Sequence, residues 1–119
     1  MPDHWHMIWM GLDVSADQRL ACAFLRKYVA PFLGSASFQD RAHDHVLREN
    51  ERKRGAFQAT CHYLRENPVR ATLCVEWTDW PYSGAMIAGY PDLNHRAPDF
   101  WDTFWKIHAR MIEAHVRSL

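Results

Sequence analysis

The sequence has 119 residues and carries 14 Lys and Arg against 14 Asp and Glu, so its formal net charge is zero. That length suits a single domain over residues 1–119, and a hydrophobic share of 48% with 24% charged residues argues against wholesale disorder. No apolar run can span a bilayer, no signal peptide is expected, and the three widely spaced cysteines fit a reducing compartment. We therefore expect a cytoplasmic protein without a membrane partner.

Residues 1–11 alternate polar and apolar side chains in part, which predicts a β-strand. On a strand, His4 and His6 point to the same face. Two imidazoles two residues apart can each give one nitrogen to a single divalent cation. In a chain with eight histidines such a pair also arises by chance, so the spacing alone leaves a metal site and a structural role open.

Three helices follow from the spacing of the apolar residues. The first begins at an N-cap Ser15 and stops at Pro31. The second runs from about residue 49 to 67 and ends before Pro68. The third covers about residues 99–119 and carries an aromatic band that is expected to serve as core or docking surface. The band consists of Phe100, Trp101, Phe104 and Trp105. Together with the strand, these helices indicate an α+β fold.

The charges are distributed unevenly in spite of the neutral total. Residues 41–70 hold seven Lys and Arg against four Asp and Glu, a local balance of 7 − 4 = +3. A basic segment in a neutral protein favours either a polyanionic partner or a solvated helix face, and charge alone does not decide between them.

Tyr63 and Asn67 are four residues apart near the end of the second predicted helix, so their side chains leave the same face one turn apart. An amide oxygen can complete a magnesium or manganese site with two histidines. A tyrosine hydroxyl beside such a metal suits phosphoryl transfer through a covalent phosphotyrosine. The alternatives are a half-buried aromatic for Tyr63 and an ordinary helix-terminal residue for Asn67.

Four segments, in order along residues 1–84, resemble the motifs of one transposase family. MPDHWHMIW (1–9) is similar to MPNHxH, the histidine–hydrophobic–histidine (HUH) motif, and DHVLR (44–48) is similar to DHVxR. YLRENPVRA (63–71) is similar to YIxxNPVRAGL, and WPYSG (80–84) is similar to WPxSS. The chain thus resembles the REP-associated tyrosine transposases of the insertion-sequence-200-like superfamily. Residues 85–119 match only loosely.

The resemblance implies His4 and His6 as ligands of Mg²⁺ or Mn²⁺, Asn67 as a third ligand, and Tyr63 as the catalytic nucleophile. It implies cleavage of single-stranded, hairpin-forming DNA, which leaves a 5′-phosphotyrosine link and a free 3′-OH. The basic middle segment is expected to contact DNA phosphates. The expected DNA-binding residues are Arg48, Arg52, Lys53, Arg54 and Arg70.

Family members place further strands and a helix before the histidine strand, and this chain begins at the methionine of that motif. The resemblance therefore implies a partial ferredoxin-like domain with one N-terminal strand and about three helices, divided into a motif-bearing core (1–84) and a helical tail (85–119). Two other functions stay open: an inactive remnant that only binds structured DNA, and a metal-dependent hydrolase unrelated to DNA. A monomer and a homodimer are both compatible with the sequence.

Overall fold

The computed structural model describes residues 1–43 and 45–119; Asp44, the first residue of the DHVxR-like segment, lies outside the described residues. The chain forms two compact units, one of Trp9–Leu47 and the other of Met1–Ile8 with Arg48–Leu119. The helices are α1 (Gln18–Val29), α2 (Arg54–Arg65), α3 (Asn67–Arg70) and α4 (Phe100–Ser118). Short 3₁₀ helices cover Ala30–Phe32, Glu49–Arg52 and Trp77–Asp79. None of the described helices is long and apolar enough to cross a membrane.

The predicted N-terminal strand is absent. The described residues contain helices but no strand, so the prediction of an α+β fold with a partial ferredoxin-like sheet is wrong. Residues 1–11 run without regular secondary structure. A strand is stable only when its backbone N–H and C=O groups pair with a neighbouring strand, and the described part of the chain supplies no such neighbour. The alternation of polar and apolar side chains is therefore not sufficient to form a strand here.

The unit of residues 9–47 contains the first predicted helix, which the structure confirms as α1. Its N-cap is Asp17 rather than the predicted Ser15, because the Asp17 carboxylate accepts a 2.8 Å hydrogen bond from the backbone N–H of Arg19. Ser15 instead donates its backbone N–H to the carboxylate of Asp13 over 2.7 Å. Pro31 lies in the 3₁₀ turn that directly follows α1, close to the predicted stop.

The core of the other unit lies where α2 packs against α4. The Phe57 ring of α2 lies 5.6 Å from the ring of Trp105, 6.0 Å from Phe104 and 6.1 Å from Trp101, measured between centroids. These distances are those of favourable aromatic pairs. The third predicted helix is confirmed; in its aromatic band Phe100 is buried, and Trp101, Phe104 and Trp105 are half-buried. The buried apolar side chains among the described residues are Phe57, Phe100 and Ile107, together with Pro68 of α3.

Arg65, the last residue of α2, connects this core to the loop that precedes α4. Its guanidinium donates a 3.1 Å hydrogen bond to the backbone carbonyl of His95 and lies 4.3 Å from the centroid of the Trp77 ring. His95 itself is buried and lies against Trp77, with 5.8 Å between the ring centroids. These contacts fix the orientation of the C-terminal turn of α2, where the candidate site begins.

Protonation of His95 should destabilise this unit at low pH. Burial lowers the pKa of His95, and the positive charges of Arg96 and Arg65 act in the same direction. The unfolded chain therefore binds this proton at a higher pH than the folded chain, so the free energy of unfolding falls as the pH drops below about 6.5. We expect a lower melting temperature at about pH 5.5 than at about pH 7.5. This difference in melting temperature should shrink in His95→Gln. It should persist in the control His43→Gln, because His43 is exposed. An equal pH dependence in both variants would show that His95 is not its cause.

Candidate active site

Every residue predicted to act in catalysis, metal binding or DNA binding lies in the unit formed by residues 1–8 and 48–119. The two histidines belong to its N-terminal segment. Tyr63 lies in the last turn of α2, and Asn67 opens α3. The structure thus brings together in one compact unit segments that are more than fifty residues apart in the sequence.

The two histidine rings face each other in an edge-to-face arrangement. The Nε2 atoms of His4 and His6 are 3.1 Å apart, and the ring centroids are 4.9 Å apart. The Nδ1 atom of His4 lies 2.6 Å from the carboxylate of Asp3, which also lowers the pKa of that carboxyl. With the proton of His4 on Nδ1, its Nε2 atom is an acceptor, and it forms the 3.1 Å hydrogen bond with Nε2 of His6. Sequence reasoning missed this role of Asp3, although an acid directly before the first histidine was a visible signal.

The length of the hydrogen bond between the two Nε2 atoms can be compared with the spacing of two ligands around one divalent cation. Two ligand atoms at about 2.1 Å from one metal ion, at about right or tetrahedral angles, are separated by roughly 3.0–3.4 Å. The observed 3.1 Å between the Nε2 atoms falls within this interval. No group of three His, Cys, Asp or Glu side chains that could hold a metal occurs among the described residues.

The helix that carries Tyr63 is shorter than predicted. The predicted helix 49–67 is confirmed over Arg54–Arg65 only, and Glu66 ends it with φ −78° and ψ −8°. Pro68 does not terminate this helix but lies in the first turn of α3, where its missing N–H and fixed φ are tolerated. Because Glu66 keeps a right-handed helical conformation, Tyr63 and Asn67 stay about one turn apart on two successive helices.

Arg70 connects Tyr63 with Asn67. Its Nη2 atom donates a 2.6 Å hydrogen bond to the backbone carbonyl of Tyr63 and a second hydrogen bond to Oδ1 of Asn67. Its guanidinium also lies 3.9 Å from the centroid of the Tyr63 ring, as a cation–π contact. Tyr63 keeps 62% of its surface exposed and is accessible to a large substrate. From the sequence, Arg70 is predicted only as a phosphate contact, and these interactions are not.

The charge of Arg70 also acts on His6. Burial lowers the pKa of His6, and the charges of His4, the N-terminus and Arg70 lower it further. The neutral imidazole, which is the form that binds metals, is therefore favoured.

The basic residues predicted to bind DNA are all exposed but have different surroundings. Arg48 and Lys53 line an open cavity of about 430 Å³ beside the start of α2. The guanidinium of Arg54 lies 5.0 Å from the centroid of the Trp105 ring and so packs on the core. Arg70 is engaged at the candidate site. Arg48, Arg52 and Lys53, which are exposed and close in sequence, are called the basic cluster below; Glu49 lines the same cavity as Arg48 and Lys53.

Comparison with protein-family models, with curated proteins and with solved structures finds no match to this chain.

Proposed function

We propose that this protein is a single-tyrosine transposase of the HUH type, a metal-dependent endonuclease and strand transferase acting on single-stranded hairpin DNA. The observation that carries the proposal is the histidine pair with Nε2 atoms 3.1 Å apart, in the same unit as an exposed tyrosine. The order of the four sequence motifs supports the same function. Its Mg²⁺ or Mn²⁺ would be held by His4 and His6, with Asn67 as third ligand.

The chemistry assigned to Tyr63 is a transesterification. Its phenolic oxygen loses a proton and attacks the scissile phosphorus, so that an O–P bond forms and the P–O3′ bond breaks. The products are a 5′-phosphotyrosine and a free 3′-OH, and no phosphodiester energy is lost to water. A second 3′-OH can then attack the phosphotyrosine in the reverse sense, which completes strand transfer. When bound, the metal ion supplies positive charge to the phosphate oxygens.

Substrate binding is assigned to the basic cluster of Arg48, Arg52 and Lys53. These side chains are exposed at the beginning of α2, the helix that carries Tyr63 nearer its other end. Contacts of this type neutralise phosphates and release counterions, so hairpin affinity should fall steeply with added salt. They carry no sequence information by themselves and position the strand instead.

A second candidate function is a remnant that binds structured DNA without cleaving it. The observation that favours it is the occupied amide of Asn67, whose Oδ1 accepts a hydrogen bond from Arg70. With that oxygen engaged, the histidine pair is left as a two-ligand site, and preorganised ligands supply much of the affinity of a metal site.

The two functions are separated by one experiment. Hairpin oligonucleotides labelled at the 3′ end are incubated with the protein and Mn²⁺, and labelled protein is sought on a denaturing gel. The transposase should give an adduct that disappears with a chelator. Hairpin binding that is sensitive to salt, without an adduct, would support the remnant. Neither binding nor adduct would refute both.

A further inference from the structure

An open cavity of about 390 Å³ lies between α4 and the turn of residues 89–93. The helix lines it with one face, formed by Thr103, Lys106, Ile107 and Arg110. All of the lining belongs to the unit of residues 1–8 and 48–119. None of these residues is part of the candidate active site or of the basic cluster, so the cavity is a separate feature of this unit.

The wall opposite α4 is held by the backbone of the turn itself. The N–H of Tyr90 donates a 3.0 Å hydrogen bond to the carbonyl of Ile87, and the N–H of Leu93 donates a 3.3 Å hydrogen bond to the carbonyl of Tyr90. Gly89 has φ +82°, a backbone conformation that other residues rarely adopt. The shape of this wall is therefore fixed by the chain and does not depend on a ligand.

The wall formed by α4 carries two positive charges. Lys106 and Arg110 are four residues apart, so their side chains leave the same face of the helix one turn apart. Both are exposed, and neither forms an ion pair with another described residue. Asp92 is the one acidic residue among the described residues of the lining. The positive charges thus exceed the negative ones, which favours an anionic ligand.

The remaining lining is largely apolar. Ile107 is buried, and Leu93 and Tyr90 are half-buried. A tyrosine ring in the wall of a cavity is a surface on which a flat, unsaturated ring can stack. Sites for small molecules commonly measure about 300–1,000 Å³ and combine apolar walls with a few polar groups. At about 390 Å³, this cavity suits a ligand at the small end of that range.

We propose that this cavity binds one nucleotide unit, that is, a phosphate joined to a sugar and a base. Arg110 binds the phosphate with its planar fork of N–H donors, and Lys106 adds a second positive charge. The base packs against the ring of Tyr90 and against Ile107. A free nucleoside monophosphate and one nucleotide of a single DNA strand offer the same chemistry. The site needs neither Tyr63 nor a metal ion, so it goes beyond the proposed cleavage reaction.

The test measures binding to the full chain in the absence of metal. Thymidine monophosphate is titrated into the protein at low salt, and binding is followed by calorimetry and by the NMR chemical shifts of Thr103 and Ile107. Lys106→Gln and Arg110→Gln should each weaken binding about tenfold, as expected for the loss of a charge-assisted hydrogen bond. The matched control Arg117→Gln removes an equal charge from α4 outside the lining and should leave the affinity unchanged.

Equal affinities in all three of these variants would overturn the proposal, as would the absence of binding at millimolar thymidine monophosphate. Circular dichroism of each variant shows whether α4 is intact.

A second set of measurements tests the contact with the base. Tyr90→Leu removes the aromatic ring and keeps an apolar side chain, and it should weaken binding of thymidine monophosphate about tenfold. Tyr82→Leu, which changes an exposed tyrosine outside the lining, should leave this affinity unchanged. Inorganic phosphate should bind about tenfold more weakly than thymidine monophosphate. Equal affinities for the two ligands would overturn the nucleotide assignment, because the cavity would then bind an anion only.

A short oligothymidine distinguishes the two sources of the nucleotide. Tighter binding of the oligothymidine than of thymidine monophosphate, weakened by Arg110→Gln, would assign the cavity to a DNA strand. Tighter binding of the monophosphate would assign it to a free nucleotide. Binding of the monophosphate without any covalent adduct on hairpin DNA would support this inference and refute cleavage. An adduct from a protein that does not bind the monophosphate would do the opposite.

Discussion

Tyr63→Phe should abolish the covalent protein–DNA adduct and leave hairpin binding at the wild-type level. Only the phenolic oxygen is removed, and no other atom of this side chain can form the bond to phosphorus. The ring that lies 3.9 Å below the guanidinium of Arg70 is retained, so the local packing should persist. Removing a nucleophile commonly costs more than about 10³-fold in rate, so cleavage in Mn²⁺ should fall below detection on a denaturing gel.

The matched control is Tyr82→Phe. Tyr82 lies in the WPxSS-like segment of the same unit and is 81% exposed. The substitution therefore removes a phenolic oxygen, as in Tyr63→Phe, and leaves the packing of the ring unchanged. This variant should form the adduct at the wild-type rate. An adduct that persists in Tyr63→Phe would mean that another residue is the nucleophile. Mass spectrometry of the labelled peptide would then identify that residue.

The helices were predictable from local signals, whereas the predicted sheet is absent from the described residues. Amphipathic spacing located α1 and α4, because a helix closes its own hydrogen bonds within a few residues. The predicted strand at residues 1–11 would have needed a partner strand elsewhere in the chain. The alternation of polar and apolar side chains does not show whether such a partner exists. The N-cap shifted from Ser15 to Asp17, since both residue types cap helices and local hydrogen bonds decide which one does.

The candidate site was predictable in its residue types but not in its contacts. His4, His6, Tyr63 and Asn67 were identified by spacing and motif, and the structure places them in one unit. That Arg70 bridges Tyr63 and Asn67 depends on the break between α2 and α3 and on one side-chain conformation. A short sequence motif determines neither the helix break nor the side-chain conformation. The roles assigned to these residues stay predictions.

Phe57→Ala should unfold the unit that carries the site. Phe57 is 6% exposed and holds α2 against three aromatic rings of α4. Truncation of a buried phenylalanine to alanine costs about 3–5 kcal/mol, which combines lost transfer free energy with the cavity that remains. Small domains are stable by only about 5–15 kcal/mol, and few side chains share the burial here. We expect the free energy of unfolding, measured in urea by tryptophan fluorescence and circular dichroism, to fall by that amount.

The control for this prediction is Tyr82→Ala, which removes an exposed aromatic ring from the same unit and should cost less than about 1 kcal/mol. Tyr63 lies six residues beyond Phe57 on α2, so the adduct should be lost together with the fold in Phe57→Ala and kept in the control. A loss below about 1 kcal/mol in Phe57→Ala would show that α2 does not depend on the aromatic rings of α4. Contacts within the unit other than those between α2 and α4 would then have to hold Tyr63 in place relative to the histidine pair.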